Sequence, residues 1–427
     1  MEDFSKISKE KESNQKQFFS NNKKLKKKGI FKIIKFGNFS FTKYKNKITN
    51  DNKDNNQNNK IKKTRNPGVD LVRMIAMYNI VLNHSMFHGG GFGYYPQYKR
   101  QLSFLHSFTD YHNDAFMLIS GIIGYKTCKY SNLLYLWLTV FFYSVGIHNY
   151  ILRFKKGFYI NQPMYKEYFP IIFQRYGYFT SYFGMYLFLP VINKGIEYVT
   201  KFELKLVISS TIGILIFWKE YKNHEEDVFF MKGGGSVLWY ITLYLTGAFI
   251  GKYRTIYSGI KKYIYCFICL FIFTFFSYLI FIISQNELPL RIYNYKLDFP
   301  INIRKMINFD HNAPVKVIQS ITISLFCLQI HYNKYIAKII CFTGPLIFGI
   351  YLVHEHNLIR QNIITHFFSG QPRNLSWNSV LPFLLLKDFK IFIFGLVIDY
   401  LRNLLFTILR LKKIFIFIET KMKEKLS

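Results

Sequence analysis

The sequence predicts an all-α, polytopic integral membrane bundle of about ten transmembrane helices with both termini in the cytoplasm. Three observations carry that prediction. Half of the 427 residues are hydrophobic and 19% are aromatic, far more Phe and Tyr than an ordinary soluble domain uses. From about residue 68 onward, apolar runs of about 15 to 22 residues recur between short charged loops, the length that crosses a bilayer hydrocarbon core. The first 65 residues are the opposite, a Lys-, Asn- and Ser-rich stretch with blocks such as KKLKKK. That stretch dilutes the remainder, so mean hydropathy over the whole chain is only +0.07.

The elements follow in chain order. Residues 1–65 hold 19 Lys and Arg against 6 Asp and Glu, so 19 − 6 gives +13 of the formal +33 charge. Low hydrophobicity with that charge cannot support a packed core. A disordered cytoplasmic tail is predicted, one that orients the chain and meets anionic lipid headgroups. No apolar segment follows the charged start, as a secretory signal would need. Phosphate neutralisation is another use of such charge, but no nucleic-acid partner is expected on a chain with so many spans. The predicted spans are 68–88, 105–125, 131–152, 177–193, 204–218, 236–251, 263–283, 314–330, 336–357 and 391–409. An even count returns the chain to its starting side. Basic segments before the first span and after the last (RLKKIFIFIETKMKEK) put that side in the cytoplasm. The inner loops KTCKY, KYRTIYSGIKK and HYNKYIAK are short and basic, whereas NHEED at 223–227 falls in an outer loop. Three regions result: a basic tail at 1–65, a membrane domain at 66–410 and a basic cytoplasmic tail at 411–427.

Several chemistries are excluded. No GxGxxG, P-loop or GxSxG elbow occurs, and GGG at 89–91 and 233–235 lacks the Lys-Ser/Thr that phosphate cradling needs. The five cysteines are odd in number and fall mostly inside apolar runs, so no disulfide framework is implied. Cys266 and Cys269 form a CxxC within YIYCFICLFIF, but no second ligand pair accompanies them.

Polarity is out of place in the first span. RMIAMYNIVLNH, residues 73–84, opens on Arg73 and closes on His84, with two asparagines between. At 100° per residue, Arg73 and His84 face within about 20° of one another, and Asp70 and His88 lie within about 60° of Arg73. Their helical rise separates Arg73 from His84 by about 16 Å, roughly half the hydrocarbon thickness. Asn79 and Asn83 point to another face, toward neighbouring helices. Ionisable groups at that depth face a bundle interior or a watery cavity and mark function. The plainer alternative pairs Asp70 with Arg73 near the inner headgroups and leaves His84 as an interhelical hydrogen-bonder.

RNPGVDLVRMIAMYNIVLNHS resembles the first span of the membrane acyltransferase-3 family, whose mark is Arg or Lys, ten residues, then His. Arg73 and His84 fit that spacing. NDAFMLISGIIGY (113–125) resembles the family's Phe-x-x-x-Ser-Gly second span. RYGYFTSYFGMYLFLPVINKGI (175–196) is similar to the Tyr-rich span of surface-polysaccharide O-acetyltransferases. SVLWYITLYLTGAFIGKY (236–253) and FTGPLIFGIYLVHEHNLIR (342–360) resemble later blocks of the same branch. Two features depart from the family: no proline follows the His-Glu-His-Asn block, and RFKK (153–156) is at most a remnant of its Arg-x-x-Arg.

The resemblance implies transfer of an acyl group, usually acetyl from acetyl-CoA, to a hydroxyl of a glycan or another surface or lumenal acceptor. No bound cofactor is expected. His84, a neutral imidazole near physiological pH, is the candidate general base. Arg73 is the candidate anchor for donor phosphate or carbonyl groups, with Asp70 holding it. By resemblance, His354 and Glu355 serve acceptor binding or support the core, and Arg360 follows one turn later. His354, Glu355 and His356 are too closely spaced for a metal, because adjacent helical residues point apart, so none is expected. Asp114 faces the cavity or starts its helix, and Ser120-Gly121 reads as a close packing point rather than a nucleophile. The alternative from another class is a transporter or flippase without acyl chemistry, which would also need a polar stripe; no internal repeat favours it.

Overall fold

The computed structural model describes residues 34–36, 39–41, 65–160, 163–221, 229–285 and 313–426. The chain divides into two units, Met1–Lys63 and Thr64–Ser427. In the first, strand β1 (Ile34–Phe36) pairs antiparallel with β2 (Phe39–Phe41). A hairpin this small is marginal in water on its own. The rest of the predicted disordered tail lies outside the described residues.

Among its described residues the second unit is made of helices and the turns and loops between them. Helix α1 (Pro67–Phe87) starts where the Asn66 side chain accepts from the Gly68 amide at 2.9 Å, with proline at the first position. Helices α2 (Lys99–Ser107) and α3 (His112–Gly124) replace the single span expected at 105–125. The break between them is where Asn83 docks: its Oδ1 accepts from the Thr109 hydroxyl at 2.9 Å, and its Nδ2 lies 3.2 Å from His112 Nδ1. Then come α4 (Tyr130–Phe154), α5 (Gly177–Tyr198), α6 (Lys201–Tyr221) and α7 (Val237–Tyr253). These are followed by α8 (Gly259–Ser284) and α9 (Pro314–Gln329).

The ninth expected span is two helices, α10 (Lys334–Thr343) and α11 (Ile347–His354), joined by a 3-10 turn at Gly344–Leu346. The last, expected at 391–409, is a 32-residue helix, α12 (Trp377–Ile408). Its N-terminal part carries Pro382, Lys387, Asp388 and Lys390, which interrupt the apolar run without ending the helix. Helix α13 (Leu411–Leu426) turns off at Arg410, whose φ is +53°. Its Glu419 carboxylate accepts from the Ser131 amide at 3.0 Å and so caps the N-terminus of α4, which has no side-chain cap of its own.

Three helical stretches are long and apolar enough to cross a membrane among the described residues: α4, α8 and the run from Lys334 to His354. Other expected spans fall short for physical reasons. Helix α3 is only 13 residues long, and α1 gives up hydropathy to its buried Asp70, Asn79 and Asn83. The count of ten crossings comes from the apolar runs, and the N-in, C-in orientation from the charge of the loops and tails.

Helix α1 occupies the middle of the bundle, packed by α3, α9, α10, α11 and α12. It is buried on nearly all sides, with Val69, Val72, Ala76, Met77, Ile80 and Val81 in the core. Helices α3 and α7 cross by backbone contact. A Cβ on Gly121 would lie 2.1 Å from Tyr244 O, one on Gly247 would lie 2.0 Å from Leu118 O, and one on Gly251 would lie 2.5 Å from Ile122 O. Gly247 and Gly251 form a GxxxG, the pattern that lets membrane helices approach so closely. Ser120 bonds back to Phe116 O at 2.9 Å, in keeping with the packing role expected for Ser120-Gly121.

Candidate active site

The stripe on α1 has two charged ends. At its start, Asp70 is buried and shared by two guanidinium groups. Arg73 Nη1 donates to Asp70 Oδ1 at 2.7 Å, while Arg65 donates from Nε to Oδ2 at 2.8 Å and from Nη2 to Oδ1 at 2.7 Å. Two cations on one carboxylate leave a net positive charge there. Gly344 makes room for this group, since a Cβ on it would lie 2.4 Å from Asp70 Cγ. Arg65 was counted with the tail from sequence; nothing in its local pattern marks it as a partner of Asp70.

The other end gathers three residues from two helices. His84 Nδ1 lies 3.1 Å from His354 Nε2 and 3.0 Å from Glu355 Oε2. His354 Nδ1 is 2.7 Å from Ile350 O. A carbonyl oxygen can only accept, so the proton of neutral His354 sits on Nδ1 and its Nε2 is bare. Glu355 Oε1 accepts from Arg360 Nη1 at 2.7 Å, which neutralises the carboxylate from its far side. Facing a bare nitrogen and a carboxylate oxygen, His84 Nδ1 must carry its own proton. Hydrogen-bond accounting therefore assigns the lone pair of His84 to Nε2. The His84 side chain keeps 21% of its exposure.

Glu355 reaches this position because α11 stops at His354. Glu355 is the last αR residue, His356 is extended (φ −55°, ψ 128°), and a single turn at Asn357–Ile359 restarts the chain. A π-helical turn, Arg360–Ile364, then carries Arg360 back toward Glu355. Main chain that breaks inside a membrane bundle is tolerated where it is buried in protein or lines a cavity.

An aromatic file joins the two ends of the stripe. Tyr178 and Tyr182 of α5 lie within electrostatic reach of Arg73. Their rings are 6.4 Å apart, Tyr178 is 6.0 Å from Tyr351, and Tyr351 is 6.2 Å from His354. These tyrosines belong to one packed aromatic cluster of the core.

The sequence candidates thus fall into separate places. His84, His354, Glu355 and Arg360 come together, and Arg73 pairs with Asp70 about three helical turns away. Asp114 stands apart from both: buried, it accepts from Trp239 Nε1 at 3.2 Å. His354, Glu355 and His356 do not converge as a set; His84, from another helix, stands with the first two. The donor atoms of His84, His354 and Glu355 all lie within 4.8 Å of one another, a set that hydrogen bonds account for and that a cation could also share. His356 points away from this group, toward Ser144 of α4.

A family model for an acyltransferase domain, acyltransferase 3, matches residues 66–386. The chain belongs to the acyltransferase 3 family. The enzyme is therefore an acyltransferase, and the charged stripe on its first helix belongs to a transferase rather than to a transporter without chemistry. The match begins at Asn66, the residue that caps α1. No curated protein and no solved structure matches the chain.

Proposed function

We propose that this enzyme is a multi-pass membrane O-acyltransferase with both termini in the cytoplasm. It moves an acyl group, acetyl in the first instance, from acyl-CoA to a hydroxyl of a glycan or other surface or lumenal acceptor. The observation that carries the reading is the bare Nε2 of His84, fixed by the protonated Nδ1 that faces Glu355 and His354. In that arrangement His84 Nε2 accepts the proton of the acceptor hydroxyl while its oxygen attacks the thioester carbonyl. The C–S bond breaks, CoA leaves as the thiolate, and the imidazolium returns the proton to it. Glu355 orients the ring and offsets its transient positive charge, as a carboxylate does for a histidine base.

The net positive group around Asp70, two guanidiniums on one carboxylate, suits the anionic part of the donor. A guanidinium fork matches phosphate oxygens, and Arg73 retains 21% exposure for such a contact. The roughly 16 Å between Arg73 and His84 separates donor anchoring from chemistry. Membrane lipids surround the bundle, and the basic tails face the anionic leaflet. Mass spectrometry of surface glycans from cells with and without the chain tests the reading. Acetyl esters that disappear with the chain support it; unchanged esters, together with no acetyl transfer from acetyl-CoA in isolated membranes, would refute it.

A further inference from the structure

A second buried polar group lies behind the first and takes no part in the chemistry above. Its centre is Glu167, with no solvent exposure, in a single turn (Tyr165–Tyr168) of the segment between α4 and α5. Its carboxylate accepts from Ser144 Oγ of α4 and from Arg175 Nη2. His148 Nδ1 stands 3.6 Å from Oε1, and His356 Nε2 stands 3.8 Å from Oε2. Both histidines are 1% exposed. A buried ion pair flanked by two imidazoles is costly to assemble, and removing one partner costs more than the pair is worth. Such a group asks for a reason.

The hydrogen bonds supply one. His356 Nε2 donates to Ser144 O at 3.2 Å, so its Nδ1 is bare and accepts from the Leu358 amide at 3.3 Å. One ring thereby caps the turn after the break and ties the break to α4. The same segment grips the chain on both sides of it. Tyr176 Oη donates to Leu352 O at 3.1 Å, on the turn that carries His354. Beyond the break, Asn362 exchanges two bonds with the Tyr159 main chain, at 2.8 and 3.0 Å. Between these anchors the side chains of His354 and Glu355 turn the other way, to His84.

We infer that His356, seated on the Glu167–Ser144–Arg175 group, is a positioning residue for Glu355 and through it for His84. The inference rests on the reading of His84 and Glu355 given above. Errors of about 1 Å in such a constellation cost up to about a hundredfold in rate, although His356 touches no substrate.

A double-mutant cycle on the full-length protein in membranes tests it, with radiolabelled acetyl-CoA as donor and label transferred to membrane acceptors as the readout. His356→Asn keeps a strong helix cap but cannot reach Ser144 O. It is expected to lower kcat about tenfold or more with KM for acetyl-CoA unchanged. In a Glu355→Gln background the same change is expected to have no further effect, because the route through Glu355 is already cut. Tyr176→Phe, which loses only the bond to Leu352 O, enters the same cycle if His356→Asn fails to accumulate. Equal losses in both backgrounds would overturn the positioning role and leave the function intact. A harmless Glu355→Gln would overturn the orienting role of Glu355 and this inference with it, while leaving His84 as the base.

Discussion

Replacing His84 with Ala removes the proposed proton acceptor and little else. The helix survives, because alanine is the best helix former and α1 is held by five neighbouring helices. No buried charge is stranded: Glu355 keeps Arg360 at 2.7 Å, and His354 keeps its bond to Ile350 O. The side chain is 21% exposed beside the His88 ring, so truncation opens to solvent rather than leaving a sealed cavity. Loss of a general base typically lowers the rate about 10²–10⁴-fold, equivalent to about 2.7 to 5.4 kcal/mol of barrier. The assay is transfer of radiolabelled acetyl from acetyl-CoA to acceptors in isolated membranes, with abundance matched by immunoblot. The expected result is residual transfer at or below about one hundredth of the parent rate. A variant that keeps wild-type transfer at equal abundance would refute general-base catalysis by His84.

Three further outcomes follow from the geometry. Arg73→Ala is expected to raise KM for acetyl-CoA about tenfold or more, the worth of a charge-assisted bond, and Arg73→Lys less; in either variant Arg65 still satisfies Asp70. An unchanged KM in Arg73→Ala would remove the donor-anchor role. Gly247→Ala pushes a Cβ to 2.0 Å from Leu118 O, which should cost about 1 to 3 kcal/mol and show as a lower thermal midpoint in detergent; an unchanged midpoint would mean that the α3–α7 crossing yields freely. In a cysteine-free background, Lys156→Cys should react with an impermeant reagent from outside and Ser258→Cys only after permeabilisation; the reverse pattern would invert the proposed topology.

Much of the helical order was legible in the sequence because hydropathy and helical period are local properties. The Arg73–His84 stripe needed only the 3.6-residue repeat, and the density of apolar runs gave helix in every expected range. Boundaries were less legible where tertiary partners decide them. The span expected at 105–125 breaks because Thr109 and His112 turn to meet Asn83 of another helix. Helix α12 runs through Pro382 and three charged residues that a hydropathy reading treats as loop. The tail beyond the short β1–β2 pair lies outside the described residues.

The sequence by itself determined which residues on α1 share a face, since a single helix fixes their angles and rise. It could not determine which partner residues stand opposite that face. His84 and His354 are 270 positions apart yet 3.1 Å apart in space, and no local rule links such separations. Only the tertiary structure set the tautomer of His84, because Nδ1 is protonated by virtue of what faces it rather than by what neighbours it in the chain. The same holds for Glu167, an unremarked acid in a loop by sequence, whose burial among Ser144, His148, Arg175 and His356 arises from three separate chain segments packing together. The cations that neutralise these carboxylates are near in sequence, Arg65 and Arg73 for Asp70, Arg360 for Glu355 and Arg175 for Glu167; the histidines that meet Glu355 and Glu167 are brought from other elements by packing alone.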